Sequence, residues 1–292
     1  MSEIEAATKV GWIGLGKMGL PICGRLRGAG FEVTALCRSA DKEALATANG
    51  FKVARTLAET ARGRDFVVSA VSDDKALLDI ALSDGGLAQV LATGQIFIET
   101  STVSPAASRR VADALSATGC AYLRSPVSGS TATAAQGALT ALVSGPAEAF
   151  KAAADLFAAF TRKAFLVGEA EESRTLKLAI NAMVGATSAL LAESLDLARR
   201  GGLDTRTAME VVAESAVGSP LIQYKRAAVV SGDFTAAFSV SQMLKDFELI
   251  AQAAQASGCD MPLIESIRHT YRAAVARGLG DRDFFALTAK DA

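Results

Sequence analysis

One stretch of the 292-residue chain carries an unusual pair of polar side chains. SRTLKLAINAMVG, residues 173–185, has the spacing of an apolar helix, broken by Lys177 and, one turn later, Asn181. Residues four apart share a helical face, so the amine and the amide point the same way. An ammonium partly withdrawn from water has a lowered pKa, which suits it to pass a proton near neutrality. The competing reading is a snorkelling lysine, whose stem packs while its head stays wet. Val184, Gly185 and Ser188 continue roughly the same face, and Gly185 would let another backbone come close. Lysine gains weight because the chain has a single histidine, His269, far from every motif and read as structural or surface. Cys23, Cys37, Cys120 and Cys259 are scattered and form no CxxC, so neither a thiolate zinc site nor a disulfide framework is expected.

A second pattern lies near the N-terminus. Gly14, Leu15, Gly16, Lys17, Met18 and Gly19 spell G-x-G-x-x-G directly after the apolar run KVGWIG and before a helical pattern. In that setting the glycines permit a tight turn and close backbone approach to a pyrophosphate, and the helix N-terminus offers N–H groups and a positive dipole end. A glycine-rich turn without a ligand is the plainer alternative. The next strand runs out as Leu36-Cys37-Arg38-Ser39, with no acid to hold a ribose 2′-hydroxyl. Arg38 and Ser39 suit a 2′-phosphate instead, with Lys42 as a third contact, so the cofactor is expected to be NADP, and NADPH to be preferred over NADH. An ordinary solvated arginine is the alternative for Arg38. Hydride transfer to a carbonyl leaves negative charge on oxygen, which needs a proton donor or a stabilising group. With zinc and histidine set aside, Lys177 is the candidate.

The elements that must position these groups follow an alternating plan. Spans 9–14, 31–36, 66–71, 95–99, 121–127, 139–143 and 164–167 read as strands, and most are separated by helical stretches near 18–27, 74–82, 105–118 and 147–160. Such alternation indicates an α/β, Rossmann-type doubly wound, mostly parallel sheet. After Gly168 the pattern turns helical, over 172–200, 205–214, 220–230, 243–256 and 262–277. The expected division is a cofactor-binding domain over 1–168 and an all-α domain for substrate and oligomer contacts over 169–292, with Lys177 at the cleft between them. The net charge is −1 and half the residues are apolar, the balance of a soluble globular protein with no pull toward nucleic acid. Residues 176–198 are long enough to span a bilayer, but Lys177, Asn181, Glu193 and Asp196 mark a core helix, so no membrane is expected. Without a signal peptide the expected location is cytoplasmic. The long apolar helices carry more apolar surface than one small domain readily buries, which points to a homodimer or homotetramer.

With these residues in place, the chain resembles the β-hydroxyacid dehydrogenases, the family that includes 3-hydroxyisobutyrate dehydrogenase, tartronate semialdehyde reductase and the glyoxylate/succinic semialdehyde reductases. The resemblance covers nearly the whole chain. It rests on GWIGLGKMGLPICGRL, on STVSP at 101–105, on PVSGSTATAAQGALTALVSG at 126–145, on the K-x-x-x-N of Lys177 and Asn181, and on MLKDFELIAQAA at 243–254. It implies that Lys177 is the general acid in reduction and base in oxidation, and that Asn181 orients the substrate or the lysine. It implies that Ser128 and Gly129 hold a substrate carboxylate and that Thr102 sits near the nicotinamide. Lys245 would lie near cofactor or substrate, Asp246 would support the site, and Phe238 would form an aromatic wall. Each has a duller alternative: a simple turn at Ser128-Gly129, a helix cap at Thr102, a solvated pair at Lys245-Asp246, ordinary core at Phe238.

The chain departs from the family around these positions. Arg124-Ser125 stand where an acidic residue and alanine are common, Ser130 replaces a second glycine, and Glu171 and Ser173 interrupt a glycine-rich lead into the lysine helix. Three glutamates there suit a helix dipole but add bulk and negative charge, and Arg124 and Arg174 either compensate that charge or bind a distal part of the substrate. The reading is an NADPH-dependent reductase of a small carboxylate-bearing aldehyde, reversibly a 3-hydroxyacid dehydrogenase. The alternatives are an imine reductase, disfavoured because the lysine and the PVSG turn are both kept, and a dinucleotide-binding module without catalysis.

Overall fold

The computed structural model describes residues 7–289, which divide into two compact units between Lys177 and Leu178. The first unit is built on β1 (Lys9–Ile13), β2 (Glu32–Leu36), β3 (Lys52–Ala54), β4 (Phe66–Ser69), β5 (Ile96–Glu99), β6 (Ala121–Arg124), β7 (Val127–Ser128), β8 (Leu139–Ser144) and β9 (Thr161–Gly168). They form one sheet in the order β3-β2-β1-β4-β5-β6-β8-β7, with β9 paired to β8. The six strands β1 to β6 pair in parallel in the order 3-2-1-4-5-6, the doubly wound dinucleotide-binding arrangement. β8 runs antiparallel to β6 and β7, so the sheet is mostly rather than wholly parallel.

Both faces of the central strands are buried, which is why they read as short continuous apolar runs. Val10, Trp12, Phe66, Val68, Ile96 and Ile98 pack on one side with Ile22 and Leu26 of the Gly19–Gly28 helix and Phe157 of the Ala154–Phe160 helix. Ile13, Val67 and Phe97 point the other way, onto Leu77 of the Asp74–Leu82 helix and Val111 of the Pro105–Leu115 helix. Two expectations need correction. Span 121–127 is not one strand, because Pro126 lacks the N–H a strand needs there and the chain breaks into β6 and β7. β3 was not expected, and its three residues, with Lys52 and Val53 exposed, carry too little pattern to be read.

The second unit is helical: Thr205–Glu214, Pro220–Ser231, Val240–Ser257 and Pro262–Ala274 pack around Leu195, Met209, Ile222, Phe247, Tyr271 and Phe285. The Glu172–Arg200 helix opens in the first unit and continues in the second. Its first turn stays with the sheet because Ser173 and Arg174 are bonded there, through contacts described below. Gly185 serves a side chain rather than a backbone: a Cβ there would stand 2.4 Å from the Phe247 ring and 2.8 Å from the Met243 sulfur. The helix is long and apolar enough to cross a membrane, yet Ser173, Arg174, Lys177, Asn181 and Ser188 are all buried within the fold, as in a core helix. Its outer face carries Met183, Leu190 and Leu197, exposed at 72%, 61% and 74% and spaced seven residues apart.

Candidate functional site

The glycine loop follows β1 at the switch point, where the strand order reverses between β1 and β4, and its three glycines do three different things. Gly14 has a positive φ of 104°, and a Cβ there would stand 2.1 Å from the Ala70 carbonyl oxygen. Gly19 lets the helix pack on the turn, since its Cβ would meet the Gly14 oxygen at 2.0 Å and Trp12 Nε1 at 2.9 Å. Trp12 Nε1 itself donates to that Gly14 oxygen at 3.1 Å and locks the turn. At Gly16 a Cβ would meet nothing within 4 Å, so this glycine leaves room for something outside the protein. The Gly19–Gly28 helix has no side-chain cap. A bare N-terminus facing an open space is what a pyrophosphate needs, and the residues present fit a dinucleotide.

Beyond β2 an open depression is lined by Cys37, Arg38, Ser39, Ala40, Glu43 and Arg55. Arg38 and Ser39 follow β2 directly after Cys37, and both line this depression. Lys42 does not simply join them: its Nζ donates to the Leu15 carbonyl at 2.8 Å and so braces the glycine loop against the next helix. Arg55 was not foreseen. It forms a two-pronged bond to Glu43 at 2.8 and 3.0 Å.

Thr102 sits half-buried in a loop whose path is heavily determined. The Ser101 N–H donates to Glu99 Oε1 at 2.8 Å, and the Ser101 hydroxyl accepts from the Val71 N–H at 2.7 Å. Thr102 is not the helix cap; Ser104 is, accepting from the Ala107 N–H at 3.0 Å while its own N–H and hydroxyl donate to Asp74. Ser128 ends β7, and Gly129 follows at φ 141°, a conformation that excludes a side chain; a Cβ would also meet Thr133 Oγ1 at 2.5 Å. Ser130 has a local task that accounts for its presence: it caps the next short helix in a reciprocal box with Thr133.

The approach to Lys177 is filled with buried polar groups. Arg174 is fully buried, ion-paired to the equally buried Glu99 at 2.5 Å, and donates to the Ser101 carbonyl at 2.8 Å and the Tyr122 hydroxyl at 3.2 Å. Burial works against its charge, but Glu99 and Tyr122 outweigh that and raise its pKa. Arg124 Nε donates to Glu171 at 2.9 Å, and the guanidinium lies over the Tyr122 ring. The Ser173 hydroxyl donates to the Arg124 carbonyl and its N–H to Ser144 Oγ. Of the two roles weighed for these arginines, charge compensation is the one these contacts serve. The glutamates do not form one helical turn either, because Glu171 precedes the helix and only Glu172 lies in it. One turn past Arg174, Lys177 is 7% exposed, so it is not a lysine with its head in open water.

In the second unit, Asn181 is 6% exposed and donates from Nδ2 to Asp246 at 2.6 Å. Asp246 is fully buried and also holds Lys245 at 2.9 Å, so Lys245-Asp246 is not a solvated surface pair. Both sit in the second turn of the Val240–Ser257 helix, whose start is capped reciprocally by Ser239 and Gln242. Phe238 packs edge-on against Phe284 at 6.0 Å, half-buried at the rim of the helical core.

Comparison with known proteins agrees with this geometry. Residues 9–168 match the NAD-binding domain of 6-phosphogluconate dehydrogenase, and residues 172–289 match the NAD-binding domain of NADP-dependent 3-hydroxyisobutyrate dehydrogenase. The NAD-dependent L-serine dehydrogenase of Pseudomonas aeruginosa is 32% identical over 94% of this chain and 95% of its own length. The chloroplastic glyoxylate/succinic semialdehyde reductase 2 of Arabidopsis thaliana is 28% identical over 95% of this chain and 78% of its own. The crystal structure of 3-hydroxyisobutyrate dehydrogenase from Salmonella typhimurium superposes with a TM-score of 0.87 at 27% identity, over 96% of this chain and 99% of that one. A bare glycine loop at the switch point, a buried lysine helix and matches spanning both halves carry one conclusion: the chain belongs to the β-hydroxyacid dehydrogenase family of NAD(P)-dependent oxidoreductases.

Proposed function

We propose that this protein is an NADPH-dependent reductase of a small carboxylate-bearing aldehyde, acting in reverse as a 3-hydroxyacid dehydrogenase, with Lys177 as the general acid and base. The observation that carries this reading is the burial of Lys177 one turn before Asn181, whose amide is pinned by Asp246 at 2.6 Å. With Nδ2 given to the carboxylate, Oδ1 is the end of Asn181 that can accept from an ammonium or a substrate hydroxyl. A nicotinamide dinucleotide, bound along Gly14, Leu15, Gly16, Lys17, Met18 and Gly19, supplies the hydride in reduction and takes it in oxidation. Lys177 hands a proton from Nζ to the carbonyl oxygen as charge develops there, and recovers it in oxidation. Ser128 and the backbone of Gly129 hold the carboxylate, which fixes the carbonyl relative to the amine. Thr102 and Lys245 are assigned to the cofactor and Phe238 to the pocket wall by the family resemblance alone. The choice of NADPH over NADH is supported by Arg38 and Ser39, which stand where an acidic residue would otherwise hold a ribose hydroxyl.

Cofactor oxidation against a panel of semialdehydes tests the reading. Lys177→Met removes the ammonium but keeps much of the volume, and is expected to cut kcat by about 10²–10⁴, with the Kd of NADPH nearly unchanged. Turnover within tenfold of the parent sinks the assignment of Lys177. The exposed row of Met183, Leu190 and Leu197 supports a homodimer or homotetramer, and light scattering on Leu190→Glu should show a shift to smaller species.

A further inference from the structure

The depression after β2 contains one group that the 2′-phosphate reading does not use and one that works against it. β2 and β3 are parallel neighbours, with Leu36 beside Ala54 and the Cys37 N–H donating to the Ala54 carbonyl at 2.8 Å. Arg55 follows Ala54 directly and Arg38 lies one residue beyond Cys37, so the two arginines leave neighbouring strands at the same carboxyl edge, one residue out of step. Both line the same open space. The start of Arg55 is held in place: its N–H donates to Glu59 at 2.8 Å. Glu43 lines the space as well, and its carboxylate would repel a phosphate were it not matched by the two bonds from Arg55.

We propose that Arg55 is a second cation of the 2′-phosphate site, and that Glu43 sets how much of its charge that phosphate receives. This rests on the NADPH reading above. A guanidinium has five donors in a fixed fork, so Arg55 can keep one bond to Glu43 and turn another edge to a phosphate oxygen. Glu43 also tempers the site: without it two arginines would face each other across a solvent-open space. The pair is accessible to solvent, with side chains 71% and 31% exposed, so substitutions there should leave the fold intact.

The test measures binding rather than turnover. Titration calorimetry gives the Kd of NADPH and NADH, and of the fragments adenosine 2′,5′-bisphosphate and 5′-AMP, at one low salt concentration. Arg55→Ala should weaken NADPH and the bisphosphate by about tenfold or more, since it removes one charge-assisted contact and leaves Glu43 facing the phosphate. NADH and 5′-AMP should move by less than about threefold. Glu43→Gln should act oppositely, tightening NADPH several-fold, and Arg55→Ala combined with Glu43→Gln should recover part of the loss. Arg38→Ala separates the two layers. If the parent prefers NADPH, Arg38→Ala abolishes that preference, and neither Arg55→Ala nor Glu43→Gln changes it, the cofactor reading stands and the role of Arg55 is overturned. If the parent prefers NADH, both fall together.

Discussion

Two helices begin against the same sheet, and their beginnings are built in opposite ways. The Gly19–Gly28 helix starts on glycines, without a side-chain cap, and leaves open space beside Gly16. The Glu172–Arg200 helix starts among Glu171, Glu172, Ser173 and Arg174, and the space around them is filled by Glu99, Arg124, Tyr122 and Ser144. A helix N-terminus always presents unpaired N–H groups. In the first case they are left for a ligand; in the second the protein supplies its own partners, as the Ser173 N–H donates to Ser144 Oγ at 2.8 Å and the Glu172 carboxylate takes bonds from its own N–H and from that of Ala170 just before the helix. The first helix is made to bind and the second to stay put, and Lys177 rides one turn behind the ion pair that holds it. In the loop containing Thr102, the Ser101 carbonyl accepts from that same Arg174, so one guanidinium ties the lysine helix to the loop after β5.

The contrast can be broken most forcibly at Arg174. Arg174→Met strands Glu99 as an unpaired buried charge and should lower unfolding stability by about 3–5 kcal/mol, read as a drop in denaturant midpoint. Combining it with Glu99→Leu should recover most of that loss, because an apolar pair of similar volume can replace a buried ion pair at little cost. A single-variant loss below about 1 kcal/mol would mean that the network does not hold the helix.

The next effect is smaller and falls on binding. Gly16→Ala puts a methyl into space no protein atom occupies, so stability should hold or rise slightly, by up to about 1 kcal/mol, while NADPH and NADH both weaken by about tenfold, or 1.4 kcal/mol. Gly19→Ala should do the reverse, costing about 1–3 kcal/mol of stability whether or not nucleotide is present, since its Cβ would strike the Gly14 oxygen at 2.0 Å. Thermal melts with and without nucleotide separate the two. Equal behaviour of the two variants would erase the distinction between a glycine kept for a ligand and one kept for packing.

The same contrast governs what the sequence discloses. Empty space announces itself, because glycine at fixed spacing after an apolar run has few other reasons to exist; the whole loop from Gly14 to Gly19 was legible. The central strands were legible as apolar runs buried on both faces, and the long helix over residues 172–200 by its period. Filled space is harder to read. Glu99 looks like the polar end of a strand and Arg174 like the exposed face of a helix, because a charge carries no sign of its partner when that partner is 75 residues away. Arg55 escapes a reading of the sequence because its strand has only three residues, and without β3 nothing brings it to the depression that Arg38 lines. The early start of the Val240–Ser257 helix did carry a signal, since Ser239 and Gln242 have the spacing of a reciprocal cap.

The mildest prediction concerns Glu172, the carboxylate with which the second helix closes its own N-terminus. Its pKa is lowered by bonds from backbone N–H groups, its own and that of Ala170, against a small opposing effect of burial. A carboxyl whose folded pKa is depressed stabilises the fold above its unfolded pKa, and that contribution is lost as pH falls through the folded value. Glu172→Gln should therefore lower stability at pH 7 and lose that effect in acid, where the parent is protonated too. The side chain is exposed and screened, so the difference at pH 7 should be only a few tenths of a kcal/mol. Urea unfolding of the two proteins across pH 2–7 measures it. Curves that stay parallel over the whole range would show that this N-terminus gains nothing from its own carboxylate, and that burial of Arg174 and Ser173 alone makes the second helix different from the first.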